Sequence, residues 1–342
     1  MRLRTPNTSD IVAEYCAKYP AMPSLTLARI IYKDNPKSFK SIESARTSVR
    51  YVRGANGTKL RDTASGKYAG LFDHVERTRV TPYALPKTWA HEKTIFKLPV
   101  QDNKIGFISD AQVPFQDNES IEACYEWLKK KGINTLFING DWVDFYGISS
   151  FEKDPRRRDF VFEYHCILQS LEHLRHHFPK IKIYYNLDAN HEIRYEKYMS
   201  IKSRELLSLD LPEYSLESLL RLSYFDIIPL KHNYYCQIGK LIVLHGHTLF
   251  RGQTSPVSTA RTVFMKAKMS TIASHCHQVS EYTDPKIDGD LITCWTNGCL
   301  MDLNVEYNQH GNRYSHGFAY IETEKDGSFM VENKRIHRGK VL

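Results

Sequence analysis

The chain has 342 residues, 42% of them hydrophobic and 25% charged, a balance that suits a water-soluble globular protein with one sizeable domain plus an appendage, or two ordinary domains. No apolar run reaches the length of a transmembrane span, and Met1 to Asp10 lacks the apolar core of a signal peptide, so an intracellular, cytoplasmic protein is expected. The net charge of +8 is uneven: residues 1–90 hold 16 Lys+Arg against 7 Asp+Glu, while the rest hold 31 against 32.

Three short helices are predicted first. Thr8 or Ser9 can cap one that ends near Tyr19-Pro20, and Ser24 can cap a second running through Leu25, Leu27, Ile30 and Ile31 to the break at Asn35-Pro36. A third spans Ser41 to Arg53 and stops at Gly54. On it Ile42, Ala45, Val49 and Val52 form one stripe, with Arg46, Arg50 and Arg53 beside it, the pattern of a helix packed on its siblings with arginines outward. Residues 1–54 therefore read as a basic, helix-turn-helix-like all-α domain, with these arginines as candidate nucleic-acid contacts. Indifferent helical bundles share that pattern, and a basic surface can simply be solvated. A cationic appendage also fits a polyanionic partner, because positive potential attracts phosphates whatever their sequence.

Residues 55–102 carry Gly57, Gly66, Gly70, Pro82, Pro86 and Pro99 with short apolar runs, and read as a linker or wrapping arm. From residue 103 to 342 short apolar runs alternate with helical stretches, predicting an α/β domain. Helices are expected at 118–131, 160–178 and 192–201, helical turns at 215–222 and 260–269, and closing strands at 317–322 and 328–336. His165, His173, His176 and His177 fall on the second of these helices with Arg175, where a solvated face is expected rather than a ligand set. Seven scattered cysteines without a CxxC pair fit a reducing compartment and argue against a disulfide framework.

Five apolar runs in this region end on potential metal ligands. They lead into Asp110, Asp141, the segment Asp188-Ala189-Asn190-His191-Glu192, the pair His245 and His247, and the pair His275 and His277. Ligands in α/β sheets gather beyond the carboxyl ends of strands. Carboxylate, amide oxygen and imidazole together suit borderline divalent ions such as Mn²⁺, Fe²⁺, Ni²⁺ or Zn²⁺, and an Asp can bridge two of them.

The order Asp110-x-Gln112, Gly140-Asp141-x-x-Asp144, Asn190-His191-Glu192, His245-Gly-His247 and His275-x-His277 resembles the signature of the calcineurin-like metallophosphoesterases, DxH, GDxxD, GNH(D/E), H and GHxH. The resemblance covers about 240 residues and implies a β-sandwich flanked by helices around a dinuclear centre. Carried over by position, one ion takes Asp110, Gln112, Asp141 and His277, and the other Asp141, Asn190, His245 and His275. Manganese is the favoured metal. His191 becomes the residue that contacts phosphate and assists the leaving group, with Asp144 orienting it; His247 stands behind the ligands, and Arg251 is a candidate to position phosphate.

Three positions depart from that pattern. Gln112 replaces a histidine and implies a weaker first metal site; Ala189 replaces a glycine and would resist a positive φ; Cys276 stands between two ligands, with its thiol expected to point away. Asp188 either adds charge near the metals or is an ordinary loop carboxylate. Metallophosphoesterases with a small helical domain in front resemble those of phages and mobile elements, which favours a phosphodiesterase or nuclease acting on nucleic acid. A phosphomonoesterase for phosphoprotein or nucleotide, or a binding protein with a decayed site like the retromer subunit of this fold, are the alternatives.

Overall fold

The apolar stripes of the first helices close on one another. The computed structural model describes residues 8–53, 88, 90, 94–151, 154–251, 257–305 and 312–342. The chain divides into two units, Met1–Ala90 and His91–Leu342. In the first, α1 (Thr8–Lys18), α2 (Ser24–Asp34) and α3 (Ile42–Val52) bury Val12, Cys16, Leu27, Ile31, Ala45 and Val49 in one cluster with Phe39. Ser41 caps α3, its Oγ accepting from Ser44 N at 3.1 Å and satisfying one of the helix's unpaired donors.

Two expectations are corrected here. Ser24 is the first residue of α2 and not its cap; Pro23 holds that position without a side-chain bond, and the Ser24 hydroxyl accepts from Arg53 Nη1 at 3.3 Å. Arg53 does not face outward. Its guanidinium donates to Met22 O at 2.5 Å and Tyr19 O at 3.0 Å, tying the end of α3 to the α1–α2 connection. Of its companions, Arg46 pairs with Glu43 and Arg50 is exposed.

The second unit is built on two mixed sheets. One has seven strands, in the order β13 (Lys340–Val341), β12 (Phe329–His337), β11 (His316–Thr323), β2 (Lys104–Ile108), β3 (Thr135–Ile138), β4 (Lys182–Asn186) and β5 (Ile227–Leu230). The run from β2 to β5 is parallel. The other has six, in the order β1 (Thr94–Lys97), β6 (Asn233–Ile238), β7 (Leu241–Leu244), β8 (Thr271–Ala273), β10 (Leu291–Thr296) and β9 (Ser280–Pro285). Most of the expected arm at 55–102 lies outside the described residues, and its end, β1, pairs in parallel with β6 as part of the body.

Side-chain alternation sorts these strands into layers. Ile105, Phe107, Phe137 and Tyr184 pack against Cys236, Val243, Ile272 and Trp295, so one core fills the space between the sheets. The opposite faces of β2 to β4 present Ile108, Leu136, Ile138, Ile183 and Tyr185 to α4 (Asn118–Lys131) and α5 (Phe160–His177). Gly106 permits the close approach of α4, since a Cβ there would lie 2.9 Å from Leu128 Cδ1. Outside the six-stranded sheet, α9 (Thr259–Ala267) packs Val263 against Phe250, Ala273 and Cys294. The remaining helices, α6 (Ile193–Lys202), α7 (Arg204–Leu207) and α8 (Leu216–Leu219), lie between β4 and β5 in sequence. All seven cysteines are free thiols, and no helix among the described residues is long and apolar enough to cross a membrane.

Arg175 is structural as well, donating to the carbonyls of Phe225, Phe178, Ile181 and Asp226 rather than facing solvent on α5. For Arg53 the consequence can be measured. Hydrogen bonds to a charged group contribute about 1.5–3 kcal/mol, so Arg53→Ala should speed amide hydrogen exchange across α1 to α3 while Arg50→Ala leaves it unchanged. Equal protection in the two variants would contradict the structural role of Arg53.

Candidate metal centre

Five strand ends converge at one rim of the sandwich. β2, β3 and β4 are adjacent and parallel in one sheet, and β7 and β8 are adjacent and parallel in the other, so their carboxyl ends open together. The chain then turns sharply. Asp110, Gln112, Asp141, His275 and His277 have φ of 54°, 47°, 49°, 72° and 56°, in the left-handed region that residues other than glycine rarely enter. Each such residue costs of order 1–3 kcal/mol and persists only where its surroundings over-determine it. Backbone bonds supply that constraint: Asp110 N donates to Gly140 O at 3.1 Å, Gln112 N to Asp141 O at 3.0 Å, and His275 N to Asp110 Oδ2 at 3.2 Å.

These turns swing the side chains inward. Asp110 and Asp141 are fully buried. Asp110 Oδ1 lies 3.1 Å from His277 Nε2, and the Gln112 amide lies 3.3 Å from the same nitrogen. Asp141 Oδ2 lies 3.2 Å from His245 Nε2, which is also 3.0 Å from Asn190 Oδ1. The ligating atoms of Asp141, His245 and His275 all fall within 4.8 Å of one another. The structure thus brings Asp110, Gln112 and His277 together, and beside them Asp141, Asn190, His245 and His275.

Buried polar groups hold this arrangement. His245 Nδ1 donates to Asn139 O at 2.8 Å, which leaves Nε2 as the ligating atom. The Asn139 side chain donates across to Leu244 O and Ser274 Oγ, both at 2.8 Å, fastening the end of β3 to the ends of β7 and β8. Glu192 accepts from Asp141 N at 2.9 Å, Trp142 N at 3.0 Å and Tyr185 Oη at 2.7 Å, clamping the turn that carries Asp141. Burial, followed by the charge of Asp141, raises its pKa to about 7.

The electrostatics suit a cation. Burial works against ionisation of Asp141, yet the imidazoles of His191 and His245 hold its carboxyl well below the usual range. Burial lowers His275 to about 4 and leaves it a neutral donor. Asp141 Oδ2 is buried, with His245 Nε2 3.2 Å and His191 Nε2 3.6 Å away. A buried anionic oxygen flanked by imidazole nitrogens and an amide oxygen fits a divalent ion. The Gln112 amide can present its oxygen to the same space by a half-turn.

His191 and Asp144 meet differently from the resemblance. His191 Nδ1 lies 3.1 Å from the Asp144 carbonyl oxygen and 4.0 Å from its carboxylate. The carboxylate instead receives Arg194 Nη1 at 3.0 Å, and Arg194 Nη2 lies 3.1 Å from His191 Nε2. Sequence reasoning missed Arg194; its signal was the spacing of three from His191 at a helix start. Arg251, the arginine that the sequence suggests for phosphate, is exposed beyond β7.

Other positions also differ. Ala189 is not among the residues of positive φ; its methyl packs over Gly140, where a Cβ would come within 2.1 Å, so the backbone freedom is needed at Gly140, with φ of 90°, and not at Ala189. Asp188 accepts from His232 N and Asn233 N at 2.9 Å each and clasps the turn before β6. Cys276 points away from the ligands and packs against the small core under α9, directed by the left-handed turns at His275 and His277 and not by a strand's pleat, since β8 ends at Ala273. A cavity of about 950 Å³ adjoins the centre, lined by Asn186, Tyr234, Tyr235, His245 and His247 among others.

No known family model and no curated protein matches the sequence. Among solved structures, Vps29 from Entamoeba histolytica, crystallised with zinc, aligns with 70% of this chain and 96% of that one at 12% identity and a TM-score of 0.33, a likeness too slight to bear on the site.

The clamp on Asp141 is open to test. Glu192→Gln keeps the shape but places an amide NH₂ against a backbone N–H. Changes behind metal ligands lower affinity about 10–100-fold, so a Mn²⁺ titration of this variant should show that loss with unchanged circular dichroism. Wild-type affinity would contradict the clamp.

Proposed function

We propose that the chain is a divalent-metal-dependent phosphoesterase, and more specifically a phosphodiesterase or nuclease acting on nucleic acid. The observation that carries this reading is the convergence of Asp110, Gln112, Asp141, Asn190, His245, His275 and His277 on one buried rim. Asp110, Gln112, Asp141 and His277 would hold one ion, Mn²⁺ favoured, and Asp141, Asn190, His245 and His275 the other. A pair of such ions acidifies a shared water and clamps phosphoryl oxygens.

The chain's own groups supply the rest. His191, oriented through Nδ1 by the Asp144 carbonyl, keeps its proton there and has its lone pair on Nε2, so it would assist the leaving oxygen only after Nε2 has taken up a proton released by the attacking water. Arg194, held by the Asp144 carboxylate, offers a guanidinium beside that nitrogen to bind a phosphate oxygen. The excess of cations in residues 1–90 supports a polyanionic substrate. Gln112, a weak neutral ligand, favours the second reading, a binding protein with a weakened site.

The purified protein with Mn²⁺, given bis-p-nitrophenyl phosphate, p-nitrophenyl phosphate, DNA and RNA, should cleave the diesters, and Asp141→Asn should abolish turnover. Deleting residues 1–53 should weaken nucleic-acid binding and reduce its salt slope by about 0.9 for each phosphate that the truncated chain no longer neutralises, with chromogenic diesters cleaved as before. Hydrolysis confined to the monoester would move the assignment to a phosphomonoesterase. No hydrolysis with any metal would favour the binding protein.

A further inference from the structure

Outside the strand-end centre, α4 and α5 bring together three ligating side chains that no part of the proposed reaction uses. His173 and His177 stand one helical turn apart on α5, so their imidazoles share a face, with ring centroids 4.3 Å apart. Glu122 of α4 reaches both: its Oε1 lies 2.9 Å from His173 Nε2 and its Oε2 3.9 Å from His177 Nε2. The ligating atoms of the three lie within 4.8 Å of one another. Buried Tyr125 packs under both rings, at 5.8 Å and 5.3 Å, and limits their rotation.

We infer that Glu122, His173 and His177 form a second, surface metal site for a borderline divalent cation, zinc foremost, which staples α4 to α5. Two imidazoles and one carboxylate are a donor set that zinc takes, with a fourth position left to water. Tetrahedral bonds of about 2.0–2.1 Å put ligand atoms about 3.3 Å apart, so side-chain shifts of about 1 Å close the set around an ion. The histidines read from the sequence as a solvated face acquire this role only because a carboxylate from another helix completes them.

Lys129 regulates access to the site. Its Nζ lies 2.7 Å from His177 Nδ1. An ammonium only donates, so it makes Nδ1 the acceptor and leaves the proton on Nε2, the atom nearest Glu122. An ion on Nε2 reverses that tautomer: Nδ1 then carries the proton, and Lys129 has to leave. Glu126, 3.5 Å from the same Nζ, is ready to receive it. The lysine therefore competes with the cation at the same imidazole, by tautomer and by charge.

The test is zinc bound per full-length chain after equilibrium dialysis, with calorimetry for affinity. His173→Ala/His177→Ala should bind one zinc fewer than wild type, and Glu122→Gln, which preserves shape, should lose the same ion. Lys129→Ala should tighten that site roughly tenfold, the scale of effects from groups behind a ligand. The count is read whether or not hydrolysis is detected, so it stands apart from the phosphoesterase reading. An unchanged zinc count in both ligand variants overturns the site, and unchanged affinity in Lys129→Ala overturns the competition.

Discussion

A carboxylate with no exposed surface, Asp141, has to remain ionised between two sheets, and much of the centre is arranged around that requirement. Removing such a charge from water costs several kcal/mol even after relaxation. The compensation is local: His191 N donates to Oδ1 at 3.0 Å, and the imidazoles of His191 and His245 flank Oδ2. Glu192 in turn fixes the backbone from which Asp141 projects. A second buried carboxylate, Asp110, sits on the neighbouring strand end, lowered against burial by His277. Two buried anions among imidazoles and amides form a place where a divalent cation would offset the cost of burying both carboxylates.

That requirement explains the backbone. A strand ending in ordinary extended geometry would continue past the rim with its side chains alternating to either face. Left-handed turns at Asp110, Gln112, Asp141, His275 and His277 redirect both ligands of each pair toward one point. Asn139 stops the two sheets sliding past each other at this rim, and Gly140 leaves room for the methyl of Ala189. The strain resides at the site, and the regular hydrogen bonding of β2 to β4 behind it holds it in place.

What could be read from the sequence followed from period and order. The apolar runs before Asp110, Asp141 and His275 announce their strands through local chemistry, and the structure places them there. Arg53 escapes such a reading because its acceptors are carbonyls near residue 20, which no helical wheel displays. The resemblance assigns the carboxylate of Asp144 to His191 and does not reveal that Arg194, one turn further on, takes it. Ala189 invites judgement by the glycine it replaces, yet the left-handed residue is Gly140, about fifty positions earlier in the chain and in contact only after folding. The trio of Glu122, His173 and His177 depends on two helices meeting, a tertiary fact with no sequence signal of its own.

The basic first unit and the second unit, with its candidate metal ligands, would carry separable parts of the proposed activity, attraction to phosphate and chemistry at it. The central claim concerns the second. Anomalous diffraction from a crystal of the chain soaked in Mn²⁺ tests it most directly. Two manganese peaks about 3.5–4 Å apart, both within bonding distance of Asp141, are the predicted result. Manganese bound elsewhere on the molecule, with none in reach of Asp141, would contradict it.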